Sequence, residues 1–318
     1  MKDTPRDPAA LERSIVDRIA RRADERTRGI EQDKERSRLH DHWIQRLRRE
    51  LAYRRFLARI FTAQPNQWVL KGGVALQFRL DPNRPSNDID IAHLAHGADH
   101  AVAVRQLRIA AMSNLADGFV FTIGEPGPAQ DEDRAITVLV TARIGSKEFT
   151  SFRVDMPPPR DDIPNDTIVT SVDALGIAAL DEMPPLRLIA LEQQVADKVC
   201  AMFELHGAAK RPSERSRDLG DLAMLAAQCS FDGDLLHASI RAEEKRRQDG
   251  LLANGLPDRI ELAREQLAQW PRTWRTQARD PQFSFDESLA ITQRFLNPVL
   301  AGAAAGQRWD LEQGWHDV

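Results

Sequence analysis

Apolar residues recur every fourth position at Leu39, Trp43, Leu47 and Leu51, and Leu57, Ile60 and Phe61 extend the stripe to a break at Ala63-Gln64-Pro65-Asn66. That spacing puts one apolar face on a helix that packs on a core. The short apolar run Trp68 to Leu70 then meets Gly72-Gly73, which reads as a buried strand entering a tight turn, with a helix opening after the glycines. Asp88-Ile89-Asp90-Ile91 alternates and predicts a further strand. A helix is expected over about residues 99–116, ending at Asp117-Gly118. Strands follow over 119–123, 136–144 and 148–156, and Ile144-Gly145-Ser146-Lys147 turns the last two into a hairpin. Pro157-Pro158-Pro159 stops that ladder, because proline cannot donate to it. A short strand over 167–172 precedes a second break at Pro184-Pro185, after which 187–205, 215–228, 233–247, 257–270 and 285–300 show helical spacing.

The implied fold class is α+β: a charged helical arm over 1–38, an α/β core with a mixed sheet over 39–183, and a helical C-terminal domain over 184–318. With 318 residues the chain can bury a core and form two domains, and 42% apolar and 29% charged residues are ordinary for a soluble protein. No charged-then-apolar leader opens it, and no apolar run nears the roughly 18 residues that cross a membrane, so a cytoplasmic protein is expected. Cys200 and Cys229 are too few and too far apart for a disulfide framework or zinc module, and read as reduced, buried thiols. Trp270, Trp274, Trp309 and Trp315 read as packing residues. The net charge of -4 is uneven: residues 1–61 hold 17 Lys and Arg against 11 Asp and Glu, and the remainder 27 against 37. The basic end either touches nucleic-acid phosphates or is a solvated helix whose charges neutralise one another.

Candidate chemistry concentrates around the glycine pair. Backbone N–H groups at a helix start favour an anion, and Lys71 beside Gly72 and Gly73 adds a cation. The period of two sends Asp88 and Asp90 to one face of their strand while Ile89 enters the core, and two hard oxygen ligands so placed suit Mg2+ bound with substrate phosphates. In Phe152-Arg153-Val154-Asp155-Met156, Asp155 faces away from Phe152 and Val154 and is a candidate third carboxylate, able to ligate a metal and accept a hydroxyl proton; the alternative is a strand-end turn former. Arg84 can pair with Asp88 or with a phosphate, and Ser86 can bond to local backbone. Lys198 interrupts an apolar helix stripe, either as a snorkelling lysine or as one with a buried partner or ligand. Asp218 and Asp221, one turn apart, are helix-capping groups or partners of that chemistry. His93, His96 and His100 resemble zinc spacing, but Gly97 interrupts any helix and no cysteine or acidic partner accompanies them, so they are set aside.

Lys71-Gly72-Gly73 followed by Arg84-x-Ser86-x-Asp88-Ile89-Asp90 resembles the AbiEii/AbiGii toxin family of nucleotidyltransferases, relatives of the DNA polymerase beta superfamily that include the MenT-type toxins of type IV toxin–antitoxin systems. The superfamily often has Gly-Ser where Gly72-Gly73 stand, so a serine hydroxyl on the phosphates is absent. Ala196-Asp197-Lys198 and Arg215-Ser216-Arg217-Asp218-Leu219-Gly220-Asp221 match two further family segments, and the resemblance runs from the Leu39 helix to at least Asp221.

The resemblance implies an α/β nucleotidyltransferase core whose cleft is closed by a helical lobe. Asp88, Asp90 and Asp155 would share two Mg2+ ions. Lys71, Gly72, Gly73, Arg84 and Ser86 would line the nucleotide site. Lys198 would neutralise the triphosphate, and Asp218 and, less centrally, Asp221 would hold Lys198 or the nucleotide. The implied reaction is transfer of a nucleoside monophosphate from an NTP to the 3′ end of tRNA, which blocks translation, with a cognate antitoxin as partner and no membrane involved. Transfer to a protein hydroxyl and a non-catalytic NTP-binding module are the alternatives. Retention of all three carboxylates argues against the second.

Overall fold

The computed structural model describes residues 7–80, 86–95, 97–127, 135–168, 180, 182–248, 250–277 and 282–317. The chain divides into two compact units, Met1–Ile189 and Ala190–Val318.

The first unit opens with helices α1 (Pro8–Thr27) and α2 (Asp33–Ala63). The arm is part of the unit's core, because Leu11, Ile15 and Ile19 of α1 are buried in the same cluster as Phe56, Leu57 and Ile60 of α2. Strand β1 (Trp68–Lys71) leads through the glycine pair into α3 (Gly72–Arg79), and β2 (Asp88–His93) is followed by α4 (His100–Ala111). Strands β3 (Phe119–Ile123), β4 (Ile136–Ile144), β5 (Lys147–Met156), β6 (Asn165–Ile168) and β7 (Leu186–Ile189) complete a sheet of order β3-β4-β5-β2-β1-β7-β6. Pairings β2 with β5 and β1 with β7 are parallel and the others antiparallel, which makes the sheet mixed, as expected.

The two sheet faces differ. Trp68, Leu70, Ile89, Ile91, Val138, Val140, Phe152 and Val154 enter the main core with α1 and α2. Residues of opposite parity form only a small second cluster, Val69, Ala92, Ile163 and Ile189. The rest of that face carries Asp88, Asp90 and Asp155, with Leu139 and Val120 exposed on it toward the edge strand.

Details depart from the sequence reading in both units; in the second, the helix expected over 257–270 begins only at Arg264 and runs to Gln277. Residues 187–189, expected in a helix, are strand: Leu188 pairs with Leu70 of β1 and enters the main core, and a run this short fits either structure until a sheet edge accepts it. Helix α4 stops at Ala111, well before Asp117, whose carboxylate is instead fully buried against two arginines of α2. Helix α2 begins at Asp33 and carries acidic Asp33 and Glu35 in its first turn, where the dipole favours them. Of the strand expected over 167–172, residues 169–172 lie outside the described residues.

The second unit contains α5 (Leu191–Phe203), a ribbon of β8 (Leu205–His206) and β9 (Arg211–Pro212), then α6 (Ser216–Gln228), β10 (Phe231–Asp232), α7 (Gly233–Arg247), α8 (Arg264–Gln277) and α9 (Phe285–Leu300). Its C-terminal segment is not helical: β11 (Gln307–Asp310) and β12 (Gly314–Asp317) pair with β10 in a small antiparallel sheet. Trp309 and Trp315 pack there, and Trp270 and Trp274 are buried on α8, all as expected. Trp309 is fully buried and donates to the Ala226 carbonyl at 2.8 Å, and Trp315 donates to that of Phe295 at 2.8 Å and stacks on its ring. Among the described residues no helix is long and apolar enough to cross a membrane.

Candidate active site

The glycine turn and the carboxylates meet in the first unit. Lys71 closes β1 in extended conformation and caps α3, and Gly72 follows at φ +62°, a left-handed conformation that an L side chain adopts only with strain. Glycine is required here for a second reason. A Cβ on Gly72 would lie 1.8 Å from Oδ2 of Asp90, so the missing side chain is the space the carboxylate occupies. Gly73 is buried in the first turn of α3.

Strand register arranges the rest. Lys71 lies opposite Asp90 across β1 and β2, and Asp90 lies opposite Asp155 across β2 and β5. Asp88, two residues before Asp90 and therefore on the same face, is opposite Arg153. Ser86 is buried, and its hydroxyl donates to the Asp88 carbonyl at 3.1 Å and lies 3.4 Å from the carboxylate, so its local bonding role extends to orienting Asp88. Thr137, opposite Asp155 on β4, donates its hydroxyl to the Asp155 carboxylate. Burial pushes the Asp155 carboxyl above its ordinary value and the neighbouring Asp88 charge adds to the rise, against the Thr137 hydrogen bond and the Arg153 charge, which lower it. Arg84 lies outside the described residues.

The donor set fits a hard divalent cation: carboxylate oxygens on neighbouring strands of one face, about 4.8 Å apart strand to strand, beside a turn that leaves room for one of them. Among the described residues no three His, Cys, Asp or Glu side chains are drawn together closely enough to hold an ion. Of the set-aside histidines, His93 is buried against Trp68 with ring centroids 4.6 Å apart, its basicity lowered by burial, and His96 lies outside the described residues.

In the second unit, Lys198 of α5 is buried, and its ammonium contacts Oδ1 of Asp218 at 2.8 Å and Oδ2 of Asp221 at 2.6 Å, both on α6. Arg215 adds a second cation, its Nε 2.8 Å from the other Asp218 oxygen. Of the two alternatives for Lys198, the buried partner is the one observed, and Asp218 and Asp221 are its counter-charges. Such a pair offsets the cost of burying the lysine only while both sides are present.

The family described as "Nucleotidyl transferase AbiEii toxin, Type IV TA system" matches residues 55–295, well over half the chain. This protein belongs to the AbiEii family. It is thus a nucleotidyltransferase-family enzyme and a toxin of a type IV toxin–antitoxin system, a class defined by NTP use and an antitoxin partner. Among solved structures, MenT4, a nucleotidyltransferase toxin of Mycobacterium tuberculosis, is 17% identical with a TM-score of 0.51, the match covering 82% of this chain and 94% of that one. JHP933 of Helicobacter pylori is also 17% identical, with a TM-score of 0.44 over 80% of this chain and 90% of that one. At that identity the MenT4 likeness speaks for the fold, an α+β architecture shared with a toxin of this kind. No curated protein sequence matches the chain.

Gly72→Ala puts a methyl group where the Asp90 carboxylate lies and forces positive φ on alanine; transfer should fall at least about tenfold, with a stability loss of about 1–2 kcal/mol. Steady-state kinetics and urea unfolding check both, and wild-type rates in a folded variant would separate the glycine from the carboxylate. For Asp155 the sign runs opposite to the usual carboxylate. Its folded pKa is raised, so its favourable contribution is complete below the unfolded pKa and is lost as pH rises through the folded one. Asp155→Asn, which still accepts from Thr137, should therefore have a higher thermal midpoint than wild type at pH 7 in chelator, with the gap closing toward acid. A lower midpoint at pH 7 would contradict the assigned cause.

Proposed function

We propose that this AbiEii protein transfers a nucleoside monophosphate from an NTP to the 3′ hydroxyl of tRNA in a Mg2+-dependent reaction, so that the capped tRNA is withdrawn from translation and growth stops. The observation that carries this reading is the register of Asp90 with Asp155, with Asp88 on the same face and the Asp90 carboxylate seated against Gly72. Asp88, Asp90 and Asp155 are the residues that would hold the metal. When bound, the metal supplies charge neutralisation for the phosphates and lowers the pKa of the attacking hydroxyl.

The chain's own groups then have distinct duties. The N–H groups at the start of α3 and the Lys71 ammonium receive the triphosphate oxygens. Ser86 orients Asp88. The acceptor oxygen bonds to the α-phosphorus as the bond from that phosphorus to the bridging oxygen breaks, and pyrophosphate leaves. Asp155 takes the acceptor's proton. A carboxylate with a raised proton affinity suits that duty. Lys198, held by Asp218 and Asp221, is assigned to charge neutralisation of the triphosphate, with Arg84 as a further phosphate cation.

The test is incubation of the purified protein with total tRNA, Mg2+ and each α-labelled NTP in turn. Label at the RNA 3′ end is expected, and the labelled NTP names the donor. Label on protein alone would replace tRNA by a protein hydroxyl, and NTP binding without label would leave a non-catalytic module. Lys198→Met should raise the KM for NTP at least about tenfold with little change in that for tRNA. Because two buried carboxylates lose their counter-charge, Lys198→Arg is the control for stability. Unchanged NTP kinetics in a folded Met variant would leave Lys198 a structural residue.

A further inference from the structure

A nucleic-acid acceptor needs a surface, and the excess of positive charge toward the N-terminus is the obvious place to seek it. The exposed charges there cancel. Over residues 7–63, seven exposed Lys and Arg stand among eight exposed Asp and Glu. Several of the remaining arginines are used inside the fold: Arg55 and Arg59 on Asp117, Arg46 on Glu50 and the Trp43 ring, and Arg48 over Phe149.

The open face of the sheet differs. Two rows of side chains run across it from the carboxylates. One passes from Asp88 to Arg153 and Leu139, and the other from Asp90 to Asp155 and Thr137. Beyond them Arg143 of β4 lies between Val120 of the edge strand β3 and the exposed Glu148 of β5. Leu139 and Val120 are 52% and 59% exposed, and both arginines are exposed. Neither guanidinium forms a hydrogen bond or ion pair among the described residues, although Arg153 is near enough to Asp155 to lower its pKa. Arg143 and Thr137 lie near opposite ends of β4, so the stretch between them runs about 20 Å at about 3.4 Å per residue.

We infer that this face, Arg153, Leu139, Arg143 and Val120 with Thr137, is the track along which the single-stranded 3′ end of an acceptor RNA reaches Asp155. The inference rests on the transfer to RNA proposed above and adds where the RNA lies. Two observations select this occupant. The face is continuous with Asp155, the group assigned the acceptor's proton, so an acceptor hydroxyl must arrive beside it. Its chemistry also suits a nucleic-acid strand: two guanidiniums that form no hydrogen bond or ion pair among the described residues and can meet phosphates, a hydroxyl for phosphate or ribose, and two separated aliphatic side chains against which base faces can lie. A protein partner of similar footprint would bury a more continuous apolar core.

The test titrates a 5′-fluorescein-labelled tRNA transcript with the full-length protein in the absence of NTP, over a range of salt. Arg143→Glu and Leu139→Glu should each weaken RNA binding about tenfold or more, and Arg153→Ala should lower the salt slope by about 0.7, the share of one single-strand phosphate contact. Arg36→Glu, a reversal on the charge-balanced helical surface, should bind as wild type does. NTP affinity should not change in Leu139→Glu, and in the transfer assay its KM for RNA should rise. If wild type transfers nucleotide to RNA while all three face variants bind RNA normally, the track is overturned and the reaction stands. If wild type neither binds nor labels RNA, or labels protein alone, the RNA acceptor fails and the track falls with it.

Discussion

Asp90→Ala should abolish nucleotidyl transfer, by about a thousandfold or more, and leave the fold standing. A thousandfold is about 4 kcal/mol of transition-state stabilisation, the scale expected when a carboxylate central to metal binding is removed. Little of the fold depends on Asp90. It is half-buried on the polar face, while its neighbours Ile89 and Ile91 carry the packing. Alanine retains strand geometry, empties the space beside Gly72, and removes a carboxylate that lies opposite Asp155. The stability change should therefore stay within about 1 kcal/mol. Label transfer from α-labelled NTP and urea unfolding on the same preparation decide the matter, and wild-type labelling by a folded variant would remove the proposed metal site. A loss of both transfer and fold would instead make Asp90 a structural partner of the glycine turn.

What the sequence disclosed about this site follows how local the chemistry is. Lys71-Gly72-Gly73 and Asp88-x-Asp90 were legible because a tight turn, a helix start and a period of two are each set by neighbours in the chain. Asp155 was legible as an outward strand residue, but its partner was not. Continuing the hairpin from its turn, where Ile144 pairs with Lys147, would place Thr137 opposite Val154. The bulge at Ala142/Arg143 adds one residue to β5 and brings Thr137 opposite Asp155. No residue near that bulge announces it. The same limit explains β7 and the β10-β11-β12 sheet, where short apolar or aromatic segments take strand structure only because other strands are there to receive them. Charge was the least legible property: a net +6 over residues 1–61 suggests a basic surface, yet the fold turns key arginines inward.

The inward arginines lead to the largest stability effect, at Asp117. Asp117→Asn should cost the folded state about 3–5 kcal/mol. Arg55 and Arg59, one turn apart on α2, both reach this carboxylate, Arg55 Nε at 2.6 Å and Arg59 Nη1 at 2.9 Å, and all three side chains are at most 2% exposed. Arg55 also donates to the carbonyls of Leu180 and Glu182, and Arg59 to that of Phe119, so one charge cluster joins α2 to the start of β3 and to the chain near residue 180. Asparagine preserves the shape and removes the negative charge that both guanidiniums contact. Breaking a buried pair from one side is expensive because the partner's charge stays behind. Against a typical total of 5–15 kcal/mol, the loss is severe and should lower the thermal midpoint by about 10 °C. The pH dependence gives an independent check. Burial alone would raise the Asp117 pKa, but hydrogen bonds and charge from Arg59 and Arg55 outweigh it and hold the carboxyl below its ordinary value. Its stabilisation is therefore present above the unfolded pKa, near 4, and is lost as pH falls through the folded value. Wild type should lose stability through that acid window while the Asn variant, already lacking the charge, loses less. Urea unfolding of both proteins at pH 7 and at successive acid steps measures the two curves. A difference under about 1 kcal/mol at pH 7, or parallel acid profiles, would show that the arginines find other partners and that the cluster is not what ties α2 to the sheet.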